Sequence, residues 1–213
     1  MQGGRPFAIP EFYDKSAAVL NTYFPGQSGG QAISDALFGV VDPGGRVPIS
    51  VPRHVGTLPV FYNFKKTARH RHYVDGNWAP LYSFGYGLSY TSFELTGFDA
   101  KSGSTFGVGD TVVFEVDVRN NGTVTGSYVV QVYLLGRVSS VTRPVKQLVA
   151  FKRVYLDVGE RIRVSLELEV DRYLPILNRE LEWELEKGDY TFALLENSAF
   201  DADTGVNVTM NCV

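Results

Sequence analysis

The sequence predicts an α+β protein in which a mixed first part is followed by an all-β part. Up to about Tyr90, apolar residues at helical spacing lie next to Gly and Pro breakers, whereas from about Phe93 apolar and polar residues alternate. A period of two is the pattern of a half-buried strand. About seven short alternating segments follow one another, which is typical of an immunoglobulin-like or fibronectin III-like sandwich.

The predicted strands of the sandwich are separated by breakers such as NNGTVTGS, DVGE and KGD, which favour turns. Every second residue of 112–118 and of 162–170 is apolar, so each segment has one face for the core. Trp183 and Tyr190 are the larger core candidates. The predicted strands are FELTGFDA, TVVFEVDVRNNG, YVVQVYLLG, KQLVAFKRVYL, RIRVSLELEV, LEWELEKGDYTFALLE and VNVTMNCV.

A short helix is predicted in the first part, after the glycine-rich loop FPGQSGGQ. Ser28 and Gln31 form the S-x-x-Q pattern of a capping box, in which each side chain bonds the other residue's amide. Ile33, Leu37 and Val40 continue as an apolar stripe. The DPGG breaker then ends the helix, and RVPISVP is a predicted strand that stops at its last proline.

The glycine-rich loop lacks the chemistry of a nucleotide site. A phosphate loop needs lysine directly after its last glycine, because lysine neutralises phosphate charge, and here Gln31 follows Gly30. The G-x-G-x-x-G spacing is also absent. The loop is interpreted as a turn at Pro25 and Gly26, with Gly29 and Gly30 allowing the helix to pack closely. An anion or a sugar hydroxyl on the free helix amides is the alternative.

Composition and charge argue against several classes of protein. The chain has 213 residues, of which 44% are hydrophobic and 20% are charged, and its formal net charge is −3. A nucleic-acid binder would carry a basic surface. No apolar run reaches the ~18 residues that read as a membrane span, and the first residues lack the apolar region of a signal peptide. Cys212 is the only cysteine, so an internal disulfide is excluded.

Other catalytic chemistries lack their residues. His54, His70 and His72 are the histidines of the chain, and only Asp75 lies near the His70-x-His72 pair, which is too few ligands for a typical zinc site. The Gly-x-Ser-x-Gly motif of serine hydrolases is absent. The sequence therefore predicts no metal and no cofactor.

Several long motifs, in order along the chain, resemble glycoside hydrolase family 3, the family of β-glucosidases and β-xylosidases. FPGQSGGQAISDALFGVVDPGGRVPISVPR has the aromatic-Pro-Gly-Gln turn, the glycine pair, the short helix and the Asp-Pro-x-Gly-Arg of that family. GTLPVFYN and PLYSFGYGLSYTSFE match its next landmarks. RPVKQLVAFKRVYLDVGE and LEWELEKGDYTFALLENS resemble its C-terminal fibronectin III-like domain. The resemblance covers nearly the whole chain, and its wording is most similar to fungal members.

The resemblance implies a domain organisation. Residues 1–52 are expected to be the C-terminal part of the family's second domain, an α/β sandwich. Residues 53–92 are expected to be an aromatic-rich linker that wraps across the domains, and residues 93–213 the fibronectin type III-like sandwich. The chain is expected to be a piece of a longer protein. Residues 1–52 are expected to be marginally stable, because their apolar faces lack partners.

The resemblance also implies that the catalytic groups are absent. Retaining enzymes of this family place an aspartate nucleophile in an N-terminal barrel and a glutamate acid/base upstream of the Pro-Gly-Gln turn. A (β/α)₈ barrel takes at least about 200 residues, and the family motifs that occupy nearly the whole chain leave too few residues for one. Glu11, Asp14, Asp35 and Asp42 are the acids of the first half, and none lies in a motif that pairs it. Asp42 is expected to support the backbone of its Asp-Pro turn, and no catalytic residue is assigned.

The aromatic linker contains the candidate sugar-binding residues. Tyr62, Arg69, His72, Tyr73 and Trp78 are of types that stack on sugar rings or hold hydroxyl groups. The alternative is that they pack the linker between the domains, as aromatic residues commonly do.

Asn121 and Asn207 each begin an Asn-x-Thr triplet. They are candidate N-glycosylation sites if the parent protein is secreted, and the resemblance implies an extracellular parent.

Three functions follow from these observations. The first is the C-terminal fragment of a retaining β-glycosidase, inactive alone, whose parent binds a β-linked oligosaccharide through the missing barrel domain. The second is a non-catalytic sandwich that binds a glycan or a protein partner, which an exposed flat aromatic platform would favour. The third is an enzyme whose barrel is supplied by a separate chain.

Overall fold

A computed structural model describes residues 1–66, 72–73, 76–199 and 205–213. From Phe93 onward its regular structure is almost entirely β, and these strands form a sandwich, as the alternation predicts. The helices longer than one turn both lie in the first part of the described chain. The α+β class with an all-β sandwich is therefore confirmed.

The sandwich consists of a five-stranded and a three-stranded sheet. In chain order the described strands are β1 (His72–Tyr73), β2 (Gly76–Asn77), β3 (Phe93–Ala100), β4 (Thr105–Phe106), β5 (Thr111–Asn120), β6 (Gly126–Leu135), β7 (Lys146–Leu156), β8 (Arg161–Glu169), β9 (Ile176–Leu177), β10 (Trp183–Glu184), β11 (Gly188–Leu194) and β12 (Val206–Cys212). The larger sheet has the order β4–β12–β11–β6–β7, and the smaller one β3–β5–β8. All neighbours pair antiparallel except β4 and β12.

The core lies between the two sheets, where the alternation collects apolar side chains. On β5 the side chains of Val112, Phe114, Val116 and Val118 are fully buried. Phe114 also meets Phe192 of the opposite sheet, with ring centroids 5.0 Å apart. Burying one such side chain contributes about 1.5–3 kcal/mol, so this stripe is a main source of the sandwich's stability.

The outer face of the three-stranded sheet is charged. Glu115 pairs with Lys101 at 2.9 Å and with Arg163 at 3.3 Å. Asp117 pairs with Arg161 at 3.0 Å and with Arg163 at 3.3 Å. Exposed ion pairs contribute little to stability, but they keep this face hydrated.

The core prediction is right for Tyr190 and wrong for Trp183. Tyr190 on β11 is 0% exposed, whereas Trp183 on β10 is 76% exposed. The run LEWELEKGDYTFALLE does not form one strand, because β10 pairs with β9 in a separate hairpin and residues 185–187 intervene before β11. The alternation of β11 therefore does not extend back to Trp183.

Two helices lie in the first part, α1 (Pro10–Lys15) and α2 (Gly29–Leu37). The short helix is confirmed as α2, but its predicted capping box is wrong. The Ser28 side chain makes no cap hydrogen bond, and Gln31 Nε2 donates to Asp35 Oδ1 at 2.6 Å. Ser28 has φ −86° and ψ 10°, outside the extended region typical of an N-cap. No helix within the described ranges is long and apolar enough to cross a membrane.

The loop before α2 turns as predicted. Gly26 has φ 73°, a left-handed conformation that glycine adopts readily, and its carbonyl accepts the Gly29 amide at 3.1 Å. A Cβ at Gly29 would lie 2.6 Å from the Pro25 Cβ, whereas the space around Gly30 is open. Close packing therefore explains the first glycine of the pair and not the second.

The predicted strand at 46–52 is wrong, although its backbone is extended at Val51. Two of its residues are prolines, which have no amide to donate to a ladder. Its Val47 and Val51 amides donate to the carbonyls of Tyr86 and Tyr82, each at 2.8 Å. The segment is therefore held by isolated bonds to a second extended stretch.

The region 53–92 has little regular structure, as its lack of periodicity predicts. Within its described residues it contains a 3₁₀ turn at Val55–Thr57 and the β1–β2 hairpin.

Substitution of Tyr190 and, separately, of Trp183 tests this description of the core. Tyr190→Ala is expected to lower the free energy of unfolding by about 3–5 kcal/mol, as large-to-small changes in a core do. Trp183→Ala is expected to stay within about 0.5 kcal/mol of the wild type, because its ring is already solvated. Urea unfolding followed by circular dichroism measures both. Equal losses in the two variants would contradict the arrangement.

Candidate functional site

The sandwich meets the first part of the chain along residues 81–91, which we call the strap. The Gly85 amide donates to the Val47 carbonyl, and the Phe84 carbonyl accepts from the Ser198 amide, each at 2.9 Å. The strap therefore bonds the first part of the chain on one side and the sandwich on the other.

Asp42 is the centre of this contact, which we call the junction. Its Oδ1 accepts from Ser89 Oγ and from the Tyr90 amide, each at 2.8 Å, and its Oδ2 accepts from the Ser127 amide at 3.0 Å. The Tyr90 hydroxyl donates to the Ala36 carbonyl of α2 at 2.8 Å. One carboxylate thus ties the Asp-Pro turn, the strap and β6 together. The Asp42 side chain does bond backbone amides, as predicted, but these belong to the strap and β6 and not to its own turn.

The backbone segments at the junction pack so closely that some positions leave no room for a side chain. A Cβ at Gly44 would overlap the hydroxyl and the carbonyl of Ser127. A Cβ at Gly87 would overlap the Gly45 carbonyl. These glycines belong to the DPGGR and FGYGLSY motifs, so backbone-to-backbone packing explains why glycine occupies both positions.

Asn120 joins the strap to the end of the sandwich. It is fully buried, and its Nδ2 donates to the carbonyls of Val124 at 2.8 Å and Leu156 at 3.2 Å. Its Oδ1 accepts from Thr91 Oγ1 at 2.7 Å and from the Gly122 amide at 3.1 Å. The sequence analysis missed this residue. The sequence gives one indication of it, because this asparagine occupies the next inward-facing position in the alternation of β5.

Gln131 holds the middle of the strap in a similar way. Its buried Nε2 donates to the Gly85 carbonyl at 3.1 Å and to the Glu196 carbonyl at 2.8 Å. Its Oε1 accepts from the Tyr133 hydroxyl at 2.7 Å. The sequence analysis missed it as well, because a glutamine on the outward face of a strand is usually solvated.

Burial also changes the ionisation of the junction. The Arg46 guanidinium lies 5.3 Å from the centre of the Tyr128 ring. Burial, together with the Glu196 carboxylate, raises the pKa of Tyr128 to about 12 against the opposing effect of Arg46. Burial lowers the pKa of Arg46, against the opposing effects of Tyr128 and Asp42. Tyr128 therefore stays neutral at a pH where an exposed tyrosine ionises.

Tyr62, the first candidate sugar-binding residue, makes packing contacts. Its ring stacks on Phe84 with centroids 4.2 Å apart and meets the Tyr133 ring edge-on at 6.1 Å. Its hydroxyl accepts from the Leu148 amide at 3.1 Å. These contacts match the packing interpretation, and the sugar-stacking interpretation stays a prediction.

The other candidates of the aromatic linker are described only in part. Arg69 lies outside the described residues. The backbones of His72 and Tyr73 form β1, but their side chains are outside the description. Trp78 meets Phe64 edge-on with ring centroids 5.9 Å apart, so this ring also has a packing contact.

The acids of the first half are not joined to one another. Asp42 is committed to the junction, and Asp35 accepts from Gln31. Within the described ranges no hydrogen bond links any two of Glu11, Asp14, Asp35 and Asp42. A retaining glycosidase needs two carboxyl groups about 5 Å apart across the scissile bond, and these contacts give no such pair.

Among the histidines, His54 has a described side chain, and this side chain bonds the backbone. His54 Nδ1 accepts from the Gly56 amide at 3.0 Å and caps the 3₁₀ turn. His70 lies outside the described residues. Among the residues that are described, no group of three or more His, Cys, Asp or Glu side chains could hold a metal ion.

Both candidate glycosylation sites are exposed. Asn121 follows β5 in a turn, where its amide donates to the Ser92 carbonyl at 3.0 Å. Asn207 lies on β12, opposite Ala193 of β11. Modification of either residue stays a prediction.

Comparison with known families matches both parts of the chain. The profile described as "Glycosyl hydrolase family 3 C-terminal domain" matches residues 1–90. The profile described as "Fibronectin type III-like domain" matches residues 128–198. The chain belongs to glycoside hydrolase family 3. Both profiles and their order agree with the resemblance drawn from the motifs.

Individual relatives extend this result. The chain is 37% identical to the periplasmic β-glucosidase of Salmonella typhimurium over 93% of its own length and 27% of that protein. It is 36% identical to a β-xylosidase of Formosa agariphila over 97% of its own length and 29% of that protein. It therefore spans little more than a quarter of these curated relatives.

A solved structure has the same fold. The β-glucosidase of Listeria innocua, crystallised with gluconolactone, superposes with a TM-score of 0.89 at 32% identity. The superposition covers 99% of the chain studied and 30% of the Listeria innocua chain. The α/β part and the sandwich thus recur together in a β-glucosidase.

Removal of the central carboxylate tests the junction. Asp42→Ala is expected to lower the free energy of unfolding by about 1–3 kcal/mol, because partly buried donors lose their acceptor. Asp35→Ala, in the same part of the chain, is the matched control, because its half-buried carboxylate accepts a local bond from Gln31. Hydrogen exchange of the Tyr90 and Ser127 amides should rise in the first variant only. Unchanged protection of both amides would contradict the role of Asp42.

The raised pKa of Tyr128 gives a pH dependence. Below pH 10 the side chain is neutral in both states, so its contribution to stability is fully present. As pH rises from 10 towards the folded-state pKa of about 12, the unfolded state ionises first and this contribution is lost. Tyr128→Phe is therefore expected to lose less stability than the wild type between pH 9 and 11.5, measured by urea unfolding. Identical losses would contradict the burial of this hydroxyl.

Proposed function

We propose that this chain is the non-catalytic C-terminal part of a retaining β-glycosidase. The complete enzyme hydrolyses terminal, non-reducing β-D-glucosyl or β-D-xylosyl residues of β-linked oligosaccharides. The proposal rests on one observation. The two C-terminal profiles match this chain one after the other, while the chain covers little more than a quarter of the length of its relatives. Those relatives are named β-glucosidase and β-xylosidase.

The carboxylates support an inactive chain. Asp42 bonds backbone amides of the junction and a serine hydroxyl, so its oxygens are not available to a substrate. Asp35 is bonded by Gln31 on the exposed side of α2. Neither arrangement gives the facing pair of carboxyl groups that retention requires. The nucleophile and the acid/base are accordingly assigned to the barrel and to the upstream part of the α/β domain.

An exposed apolar surface supports a contact with further polypeptide. Leu37, Phe38, Val40 and Val41 are 64%, 83%, 72% and 54% exposed at and after the end of α2, and we call them the α2 surface. Leu37 and Val40 belong to the apolar stripe of the sequence, which would face a core in a complete domain. Contiguous exposed apolar residues mark interaction sites, and in the complete enzyme the remainder of the α/β domain covers this surface.

The domain organisation is part of the proposal. Residues 1–52 belong to the α/β domain, residues 53–92 to the linker and residues 93–213 to the sandwich. The strap bonds to Ser198 and to Gln131, which supports a structural role for the sandwich. It anchors the linker and, through Asp42, the end of the α/β domain.

The sugar site and the location follow from the same proposal. Tyr62, Arg69, His72 and Tyr73 lie on the linker, and the complete enzyme would bring this linker near the sugar. The relative named periplasmic supports a parent that acts outside the cytoplasm, where glycosidases of this kind take part in polysaccharide breakdown.

Hydrolysis assays on the purified chain test the proposal. With aryl β-glucoside and aryl β-xyloside, no turnover above buffer is expected, because the paired carboxylates are absent. The Listeria innocua β-glucosidase is the positive control. Circular dichroism and a cooperative melting transition establish that the chain used is folded.

Clear turnover by the folded chain would contradict the proposal if Glu11→Gln, Asp14→Asn or Asp35→Asn abolished that turnover. Asp42 is not a useful variant for this purpose, because its loss disturbs the junction. Turnover unaffected by all three variants would point to a contaminating enzyme, which a second purification tag would reveal.

A further inference from the structure

Strand β7 carries two exposed aromatic rings and an arginine in one row. Phe151 and Tyr155 are 68% and 70% exposed, and Arg153 between them is exposed as well. Because alternate residues of a strand share a face and rise about 3.3 Å each, the two ring positions are about 13 Å apart. The row is thus longer than one pyranose ring.

The row lies beside the junction. Opposite Phe151 and Tyr155 on β6 are Gln131 and Ser127, which the strap and the Asp-Pro turn cover. The Arg153 guanidinium lies close to the Asp-Pro turn, because a Cβ at Gly45 would be in ordinary van der Waals contact, at 3.6 Å, with its Nη2 atom. In the described part of the chain, no side-chain hydrogen bond or ion pair engages Arg153, and its donors are free for a ligand.

We propose that Phe151, Arg153 and Tyr155 form a surface site for a β-linked gluco-oligosaccharide. A β-glucosyl unit has a C–H face that packs on an aromatic ring, and its edge of hydroxyl groups accepts the N–H donors of a guanidinium. At this separation the two rings contact two non-adjacent units of one sugar chain, and the guanidinium lies between them. The inference rests on the proposed function, because that function identifies the ligand as a β-linked glycan.

The chemistry of the row favours a glycan over a polypeptide. The α2 surface is largely aliphatic and contiguous, which suits a protein interface. The exposed residues of the row are aromatic and cationic, whereas Val154 and Leu156 of the same strand point into the core. Rings separated by a hydrated cation make a poor apolar interface but a good surface for an amphipathic sugar chain.

Isothermal titration of the full chain with cellohexaose and with laminarihexaose tests the site, with the α-linked maltohexaose for comparison. Phe151→Ala and Tyr155→Ala are each expected to weaken binding of at least one β-linked hexaose about tenfold or more, because each removes a stacking surface. Trp183→Ala is the matched control, since Trp183 is an equally exposed aromatic outside the row. Melting temperatures of all variants establish that they are folded.

Several outcomes would overturn the inference. They are no binding of either β-linked hexaose by the wild type, an equal loss in Trp183→Ala, or unchanged affinity in both ring variants. A wild type that binds no sugar but self-associates, with the dimer lost in Phe151→Ala, would assign the row to a protein contact. The aryl-glycoside assay decides the proposed function separately. Binding without turnover supports both proposals, whereas turnover that a carboxylate variant abolishes, together with no binding, rejects both.

Discussion

The arrangement of the chain depends on the requirement that buried polar groups find hydrogen-bond partners. Leaving one buried donor or acceptor unpaired costs about 1–3 kcal/mol, and the junction concentrates such groups. Asp42 accepts three hydrogen bonds, Asn120 makes four and Gln131 makes three through their side chains. Their partners lie on the strap and on the sandwich. A shift of the strap by one residue would break these contacts together.

Glycine adds a steric constraint to the polar one. Gly44 and Gly87 allow backbone atoms to approach where a Cβ would overlap a carbonyl. The hydrogen bonds and the close backbone contacts therefore require the same alignment of the strap on the sandwich. This agreement explains why a stretch with little regular secondary structure is nonetheless well packed against the five-stranded sheet.

The surfaces of the chain differ in a way that bears on function. The outer face of the three-stranded sheet carries alternating ion pairs around Glu115 and Asp117, so it is suited to water. The α2 surface is aliphatic and uncovered. The largely aliphatic α2 surface is suited to contact with further polypeptide.

The fold of the sandwich could be predicted from the sequence because alternation is a local property. In β5 and β8 apolar and polar residues alternate, and burial follows that period. Strand β6 differs, because it is buried along nearly its whole length. The family could be recognised for a related reason, since its motifs contain the glycines and the aspartate that the junction needs.

The tertiary structure decided the contacts that join distant segments. Nothing local shows that Asp42 bonds Ser127, that Asn120 bonds Thr91, or that Trp183 falls outside the core. The capping box and the strand at 46–52 were wrong because local patterns do not include backbone angles or the needs of a neighbouring segment. The sequence by itself determined the strands, the breakers and the family. Only the tertiary structure decided which polar groups meet, because a hydrogen bond depends on distance in space and not on spacing along the chain.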